Sequence, residues 1–195
     1  MTEPGLRERK KEATREALRH AAITLAREKG PNAVTVEDIC AKAGVSPRTF
    51  FNYFETKDEA MLAIEIVGPA VRQRIIDRPA DEMPLTALRA VLAERFAEVS
   101  GSELFRARML LLREHPELTV KMAHTNKAFE EALLHGIAER TGLPPDDIYV
   151  RTTAAAGFAA NRAAITSWQP GRNPSLVTLL HQAMDVLERG FTPPE

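Results

Sequence analysis

Apolar residues recur every three or four positions along almost the whole chain, and each run stops at a Gly or a Pro. That period belongs to helices with one buried stripe; a strand needs alternation at every second residue, and no β-branched alternation occurs. The pattern predicts an all-α fold. A first helix runs from about Glu8 to Lys29, with Leu18, Ala21, Ala22 and Leu25 as its buried stripe, and Gly30-Pro31 end it. Thr35 is placed as the N-cap of a short second helix, with Asp38 as the acid of a capping box and Val36, Ile39, Cys40 and Ala43 facing inward. Gly44 turns the chain. Ser46 caps a third helix whose first position is Pro47, where a missing N–H costs nothing. Thr56 and Glu59 open a fourth, which Gly68-Pro69 should kink or end. Arg78 to Pro84 reads as a linker. Further helices are expected at about Leu85–Ser100, Glu103–Glu114, Glu117–Thr141, Asp146–Trp168 and Pro174–Arg189.

Charge narrows the function classes. The formal net charge of −1 over 195 residues argues against a protein that coats DNA without selectivity, which would be strongly basic. Local recognition stays open, because phosphate contacts act at short range and are screened over roughly 10 Å. Arg7, Arg9, Lys10, Lys11, Arg15 and Arg19 are interleaved with Glu8, Glu12 and Glu16, the composition of a solvated helix face with i,i+4 pairs. No apolar run is long enough to span a membrane, and no signal peptide precedes the first helix, so a cytoplasmic protein is expected. The single Cys40 excludes an internal disulfide framework, and the five His lack metal-ligand spacing, so neither metal nor cofactor is expected.

Residues 35–62, TVEDICAKAGVSPRTFFNYFETKDEAML, have the make-up of a helix-turn-helix. Such a unit needs small apolar residues where its helices cross, and a turn with a Gly (Gly44) and an apolar plug (Val45). Its second helix must begin with polar side chains, because that end enters the major groove. Arg48, Thr49, Asn52 and Tyr53 meet the demand, while Phe50 and Phe54 can pack behind them.

With those residues in place, positions from about Leu18 to Leu62 resemble the DNA-binding domain of the tetracycline-repressor (TetR) family. The resemblance rests on Ala21-Ala22, Gly30, Thr35-Val36, Ile39, Ala43-Gly44-Val45-Ser46, Thr49-Phe50, Phe54, Lys57 and Leu62. It implies an N-terminal three-helix DNA-binding domain, residues 1–55. A helical effector-binding and dimerisation domain, residues 56–195, would follow. It further implies a homodimer on a pseudo-palindromic, double-stranded operator, repression relieved by a small-molecule effector, and no catalysis. Carried over by position, Thr35 and Lys57 would hold phosphates at helix N-termini. Thr49 and Tyr53 would contact backbone or bases, Arg48 and Asn52 would read base edges, and Ser46 would sit on the same surface. Two positions depart from the family pattern: many members have a small residue at Arg48, and many have Tyr at Phe51.

The second half carries weaker signals. Leu118, Met122, Asn126, Phe129, Leu133 and Ile137 fall on one face of the helix expected at Glu117–Thr141, with Asn126 its polar exception. That amide either bonds a neighbouring helix or orients a ligand. The next helix has a small face, Thr152, Ala155, Ala156, Ala159 and Ala163, and a larger one, Ala154, Phe158, Asn161, Ile165 and Trp168. The small face, with Leu176, Leu180, Ala183 and Leu187 of the last helix, suits a four-helix seam across a two-fold axis; packing within one subunit is the alternative. Phe96, Phe105, Met109, Met122, Asn126, Phe129, Phe158 and Asn161 are the candidate lining of an effector pocket, for a ligand with an apolar part. Core packing accounts for each of them singly.

Competing classes leave fewer marks. No nucleophile elbow, P-loop, dinucleotide fingerprint or HExxH occurs. Asp146-Asp147 are explained by capping, and Cys40 by the packing of a small thiol rather than redox sensing. An activator, or a helical dimer without a small-molecule ligand, remains the alternative function.

Overall fold

The computed structural model describes residues 5–62 and 68–192. Every regular element among them is helical: α1 Leu6–Lys29, a single 3-10 turn Pro31–Ala33, α2 Val36–Ala43, α3 Pro47–Phe51, α4 Lys57–Leu62, α5 Gly68–Asp77, α6 Pro84–Ser100, α7 Glu103–Glu114, α8 Leu118–Lys121, α9 Ala123–Thr141, α10 Ile148–Ser167 and α11 Leu176–Glu188. Among the described residues no helix is long and apolar enough to cross a membrane.

The elements form two compact units. The first holds α1–α4 together with α7 and α8. Its core gathers Leu18, Ala22 and Ala26 of α1, Ile39 of α2, Phe50 of α3, and Met61 and Leu62 of α4 around Leu111 and Leu118. Burying each Leu, Ile, Phe or Met among these stabilises by about 1.5–3 kcal/mol. The unit therefore ends neither at residue 55 nor at one point in the chain. Ala60, Met61 and Leu62 bury their side chains in it, and α7 and α8 return to it after α6.

The second unit holds α5, α6 and α9–α11. Val71 and Ile75, Leu88 and Leu92, Leu133 and Ile137, Val150, Leu180 and Met184 form its interior. Its helices approach closely where glycines stand. A β-carbon at Gly136 would lie 3.0–3.2 Å from three atoms of Ile75, and one at Gly157 would lie 2.8 Å from Leu88 Cδ1. Arg140 of α9 ties down the end of α5, donating to the carbonyls of Arg78 at 2.9 Å and Glu82 at 2.7 Å, and to that of Pro79.

Two stripes read from periodicity are corrected. The helix expected at Glu117–Thr141 breaks at Met122. Leu118 and Met122 then belong to the first unit, while Leu133 and Ile137 belong to the second. On α11 the buried stripe is Leu176, Leu180 and Met184; Ala183 and Leu187 are only half-buried. On α10, Thr152, Ala155, Ala159 and Ala163 are exposed, whereas Ala154, Gly157, Ala160 and Asn161 are buried.

Candidate nucleic-acid interface and ligand cluster

The helix-turn-helix is built from local chemistry. Thr35 Oγ1 accepts the Asp38 N–H at 3.1 Å, and Asp38 Oδ2 accepts the Thr35 N–H at 2.9 Å, closing the capping box that starts α2. Lys29 adds an ammonium 2.6 Å from Asp38 Oδ2. The Lys29 hydrogen bond first, then the Thr35 hydroxyl and backbone N–H, hold the Asp38 carboxyl well below the ordinary carboxylate range. At the other end Gly44 adopts the left-handed conformation, φ 68°, and the Val45 N–H returns to the Cys40 carbonyl at 3.0 Å. A side chain at Gly44 would add about 1–2 kcal/mol of backbone strain. Ser46 then caps α3, its Oγ accepting the Thr49 N–H at 3.2 Å.

This frame splits α3 into two faces. Phe50 and Phe54 are buried, their rings 5.8 Å apart. Arg48, Phe51 and Asn52 are exposed, with Thr49 and Tyr53 half-buried beside them. The side chains of Arg48 and Asn52 form no hydrogen bond among the described residues, so their donors face solvent. Phe51 is 58% exposed, with its ring edge-on to Phe50 at 5.4 Å. Sequence reasoning noted it only as a departure from the Tyr that many family members carry there. The signal it passed over was a second aromatic directly after Phe50 in a five-residue helix, where consecutive residues cannot share the buried face.

Lys57 is a correction. Its ammonium donates to the carbonyls of Pro31, Asn32 and Val34 at 3.1, 3.1 and 2.7 Å. An ammonium has three donors, and these three carbonyls use them. In this arrangement Lys57 fastens the 3-10 turn to the start of α4 rather than holding a phosphate. Thr35 is exposed, but its hydroxyl is likewise engaged, donating to Asp38 Oδ2 at 2.7 Å. Cys40 lies in the core; burial first, and Glu37 second, push its thiol up, which supports packing over redox sensing.

The expected effector lining is divided between the two units. Phe105, Met109 and Met122 are buried residues of the first unit. Asn126 is exposed, so it is not the buried amide that the stripe implied. The other four lie in the second unit. Phe129 and Phe158 pair at 6.1 Å with their planes 50° apart. Phe96 is buried, and Asn161 sits one turn beyond Phe158 on α10. Sequence reasoning missed the residue that links them: the Arg95 guanidinium carbon lies 5.9 Å from the Phe96 ring centre and 5.2 Å from that of Phe129. A separate open groove of about 590 Å³ runs between α5 and α9, walled by Gly68, Arg72, Ile76, Ala132, His135 and Glu139. It shares no residue with the expected lining, and the Arg72–Glu139 ion pair at 2.7 Å spans its charged wall.

Comparison with known proteins agrees with this architecture. Residues 18–64 match the family of bacterial regulatory proteins described as tetR family, and residues 64–192 match the MftR C-terminal domain. The HTH-type transcriptional regulator TcmR of Streptomyces glaucescens is 35% identical over 174 residues, covering 85% of this chain and 77% of its own. MftR of Mycobacterium tuberculosis is 27% identical, covering 94% and 93%. Among solved structures, NalD of Pseudomonas aeruginosa, the secondary repressor of the MexAB-OprM multidrug efflux pump, superimposes with a TM-score of 0.57 at 20% identity, over 92% of this chain and 97% of its own. FadR of Bacillus subtilis, solved with stearoyl-CoA, gives 0.55 at 21% identity, over 88% and 96%. At these identities the structures show a shared fold.

Proposed function

The chain is a member of the TetR family of transcriptional regulators, and from that premise we propose that it is a homodimeric repressor released from its operator by a small molecule. The observation that carries the reading is the face of α3. Arg48, Phe51 and Asn52 stand exposed at the helix that a helix-turn-helix inserts in the major groove, while Phe50 and Phe54 lock that helix to the core. Arg48 to guanine and Asn52 to adenine are the bidentate pairings that base-edge geometry favours, each worth about 1–3 kcal/mol of discrimination. Phe51 supplies an apolar surface for a thymine methyl. Ser46, Thr49, Thr35 and Tyr53 flank this face, and Lys57 fastens the 3-10 turn ahead of α2 to α4.

Dimerisation is assigned to α10 and α11. The exposed Thr152, Ala155, Ala159 and Ala163 form a smooth strip that lets a second helix approach closely, and Val186 of α11 is a large apolar side chain left 43% exposed. A two-fold dimer presents two copies of α3 to half-sites about 34–36 Å apart.

The test is selection of duplexes from a random pool by the purified protein at physiological salt, followed by sequencing. The expected result is an inverted repeat with half-sites one helical turn apart, or a multiple of that. Repeating the selection with Asn52→Ala should relax one position in each half-site. No enrichment from a folded, dimeric, ligand-stripped sample would refute the DNA-binding reading. A monomer in sedimentation at micromolar concentration would refute the dimer.

A further inference from the structure

Among the described residues of the second unit, one buried cation has no acid paired with it. Arg95 stands mid-way along α6 and is 5% exposed. Among the described residues no carboxylate comes within ion-pairing distance of it, and its Nε has no hydrogen-bond partner. Glu98, the acid that acts on it electrostatically, is paired with Arg74 at 2.9 Å. The neighbouring arginines are treated differently: Arg89 bonds Asp185 and Glu188, Arg78 bonds Glu82 and Glu94, and Arg72 bonds Glu139. Burial lowers the Arg95 guanidinium to about 10, with Glu98 opposing, so it stays charged at neutral pH.

What surrounds it is aromatic. The Phe96 and Phe129 rings lie against the guanidinium, and Phe158 stands 6.1 Å from Phe129. Phe129 and Phe158 are half-buried, so the group reaches from the interior of the unit toward solvent. One turn along α10 from Phe158 is a second unsatisfied polar group. Asn161 is 6% exposed, and its Oδ1 has no donor among the described residues. A buried charge without a counter-charge opposes folding, and an unmatched carbonyl oxygen adds to the deficit. One of these groups stands against Phe129 and the other one helical turn from its ring partner Phe158, an arrangement that suits a binding site before its ligand supplies the missing partners.

We propose that this cluster is the charged end of the effector site: the effector carries an anionic group that pairs with Arg95, and a flat apolar body that lies along Phe129 and Phe158. A donor on the same molecule satisfies Asn161. The inference rests on the reading of the second unit as the effector-binding half and narrows it to a ligand class, acidic compounds with an aromatic or similarly flat body. An anion there is bound through charge-assisted hydrogen bonds in a poorly solvated place, where selectivity for charge over a neutral isostere is large.

The experiment is calorimetric titration of the full chain with 2-naphthoate and with 2-acetonaphthone, which share one ring body and one carbonyl, carry no hydrogen-bond donor and differ in charge. Naphthoate should bind about tenfold or more tightly than acetonaphthone. Arg95→Met should remove the difference and raise the melting temperature of the unliganded protein, because it deletes an unpaired buried charge while keeping the volume. Arg95→Lys should keep part of the discrimination. Equal binding of the two probes, binding of neither, persistent discrimination in Arg95→Met, or a lower melting temperature of that variant would each overturn the proposal. Duplex selection uses no ligand, so an enriched inverted repeat with no charge discrimination would remove this inference and leave the operator reading standing. Discrimination without enrichment would do the reverse.

Discussion

Replacing Lys57 by Met separates a structural lysine from a phosphate-binding one. The substitution keeps most of the stem and removes the ammonium that the carbonyls of Pro31, Asn32 and Val34 share. A hydrogen bond from a charged donor is worth about 1.5–3 kcal/mol. The bond to Asn32 is exposed, so water replaces it at little cost; those to Pro31 and Val34 are partly buried. They share one cation and do not add fully, which leaves a loss of about 2–3 kcal/mol. That is roughly a 30- to 160-fold drop in the folding equilibrium. With a urea m-value of about 2 kcal/mol/M the midpoint falls by about 1–1.5 M. The assay pairs urea unfolding with duplex titrations over a range of salt, on the sequence recovered by selection. A lysine that neutralises one phosphate per protomer contributes about 0.9 to the slope of log K against log salt, so its loss from a dimer would reduce the slope by about 1.8. The expected result is a lower urea midpoint with the slope unchanged. A variant as stable as the parent, with a slope reduced by that amount, would refute the structural assignment.

Three further outcomes follow from the same geometry. Asp38 titrates below its unfolded value of about 3.9; a carboxylate lowered in the folded state stabilises above that value, and its contribution is lost as pH falls through the folded value. Acid unfolding followed by circular dichroism should therefore become shallower in Asp38→Asn, and an unchanged acid limb would contradict the lowered Asp38 carboxyl. Gly136→Ala gains about 1 kcal/mol of helix propensity but places a β-carbon against three atoms of the buried, β-branched Ile75, at about 1–3 kcal/mol; it should lower the urea midpoint more than Gly157→Ala, which meets only the flexible end of Leu88, and the opposite order would sink the argument. Phe51→Ala should change stability by less than about 1 kcal/mol while weakening operator binding, since its ring is 58% exposed and stands edge-on to Phe50; undiminished affinity in a gel-shift titration would remove Phe51 from the interface.

Most of the helix bounds and the helix-turn-helix were legible because the interactions that make them are local. The Thr35–Asp38 box spans three residues, Ser46 caps α3 from the adjacent position, and Gly44 supplies a conformation that its own lack of a side chain permits. None of these depends on a distant partner. Periodicity failed where it was carried across a break it could not detect. Leu118 and Phe129 lie at helical spacing in the sequence, yet α8 and α9 separate at Met122 and bury their apolar residues in different units.

By itself, the order of residues determined the all-helical class, the ends of the helices and the α3 side chains that meet solvent, because capping, φ preference and a 3.6-residue period act within one or two turns. Tertiary structure alone decided the surroundings of Lys57 and Arg95. The carbonyls that use the Lys57 ammonium lie 23 to 26 residues away, and the rings around Arg95 include one from α9. Whether a charged side chain is fastened, solvated or left buried without a counter-charge depends on groups brought beside it from elsewhere in the chain, and no local pattern records them.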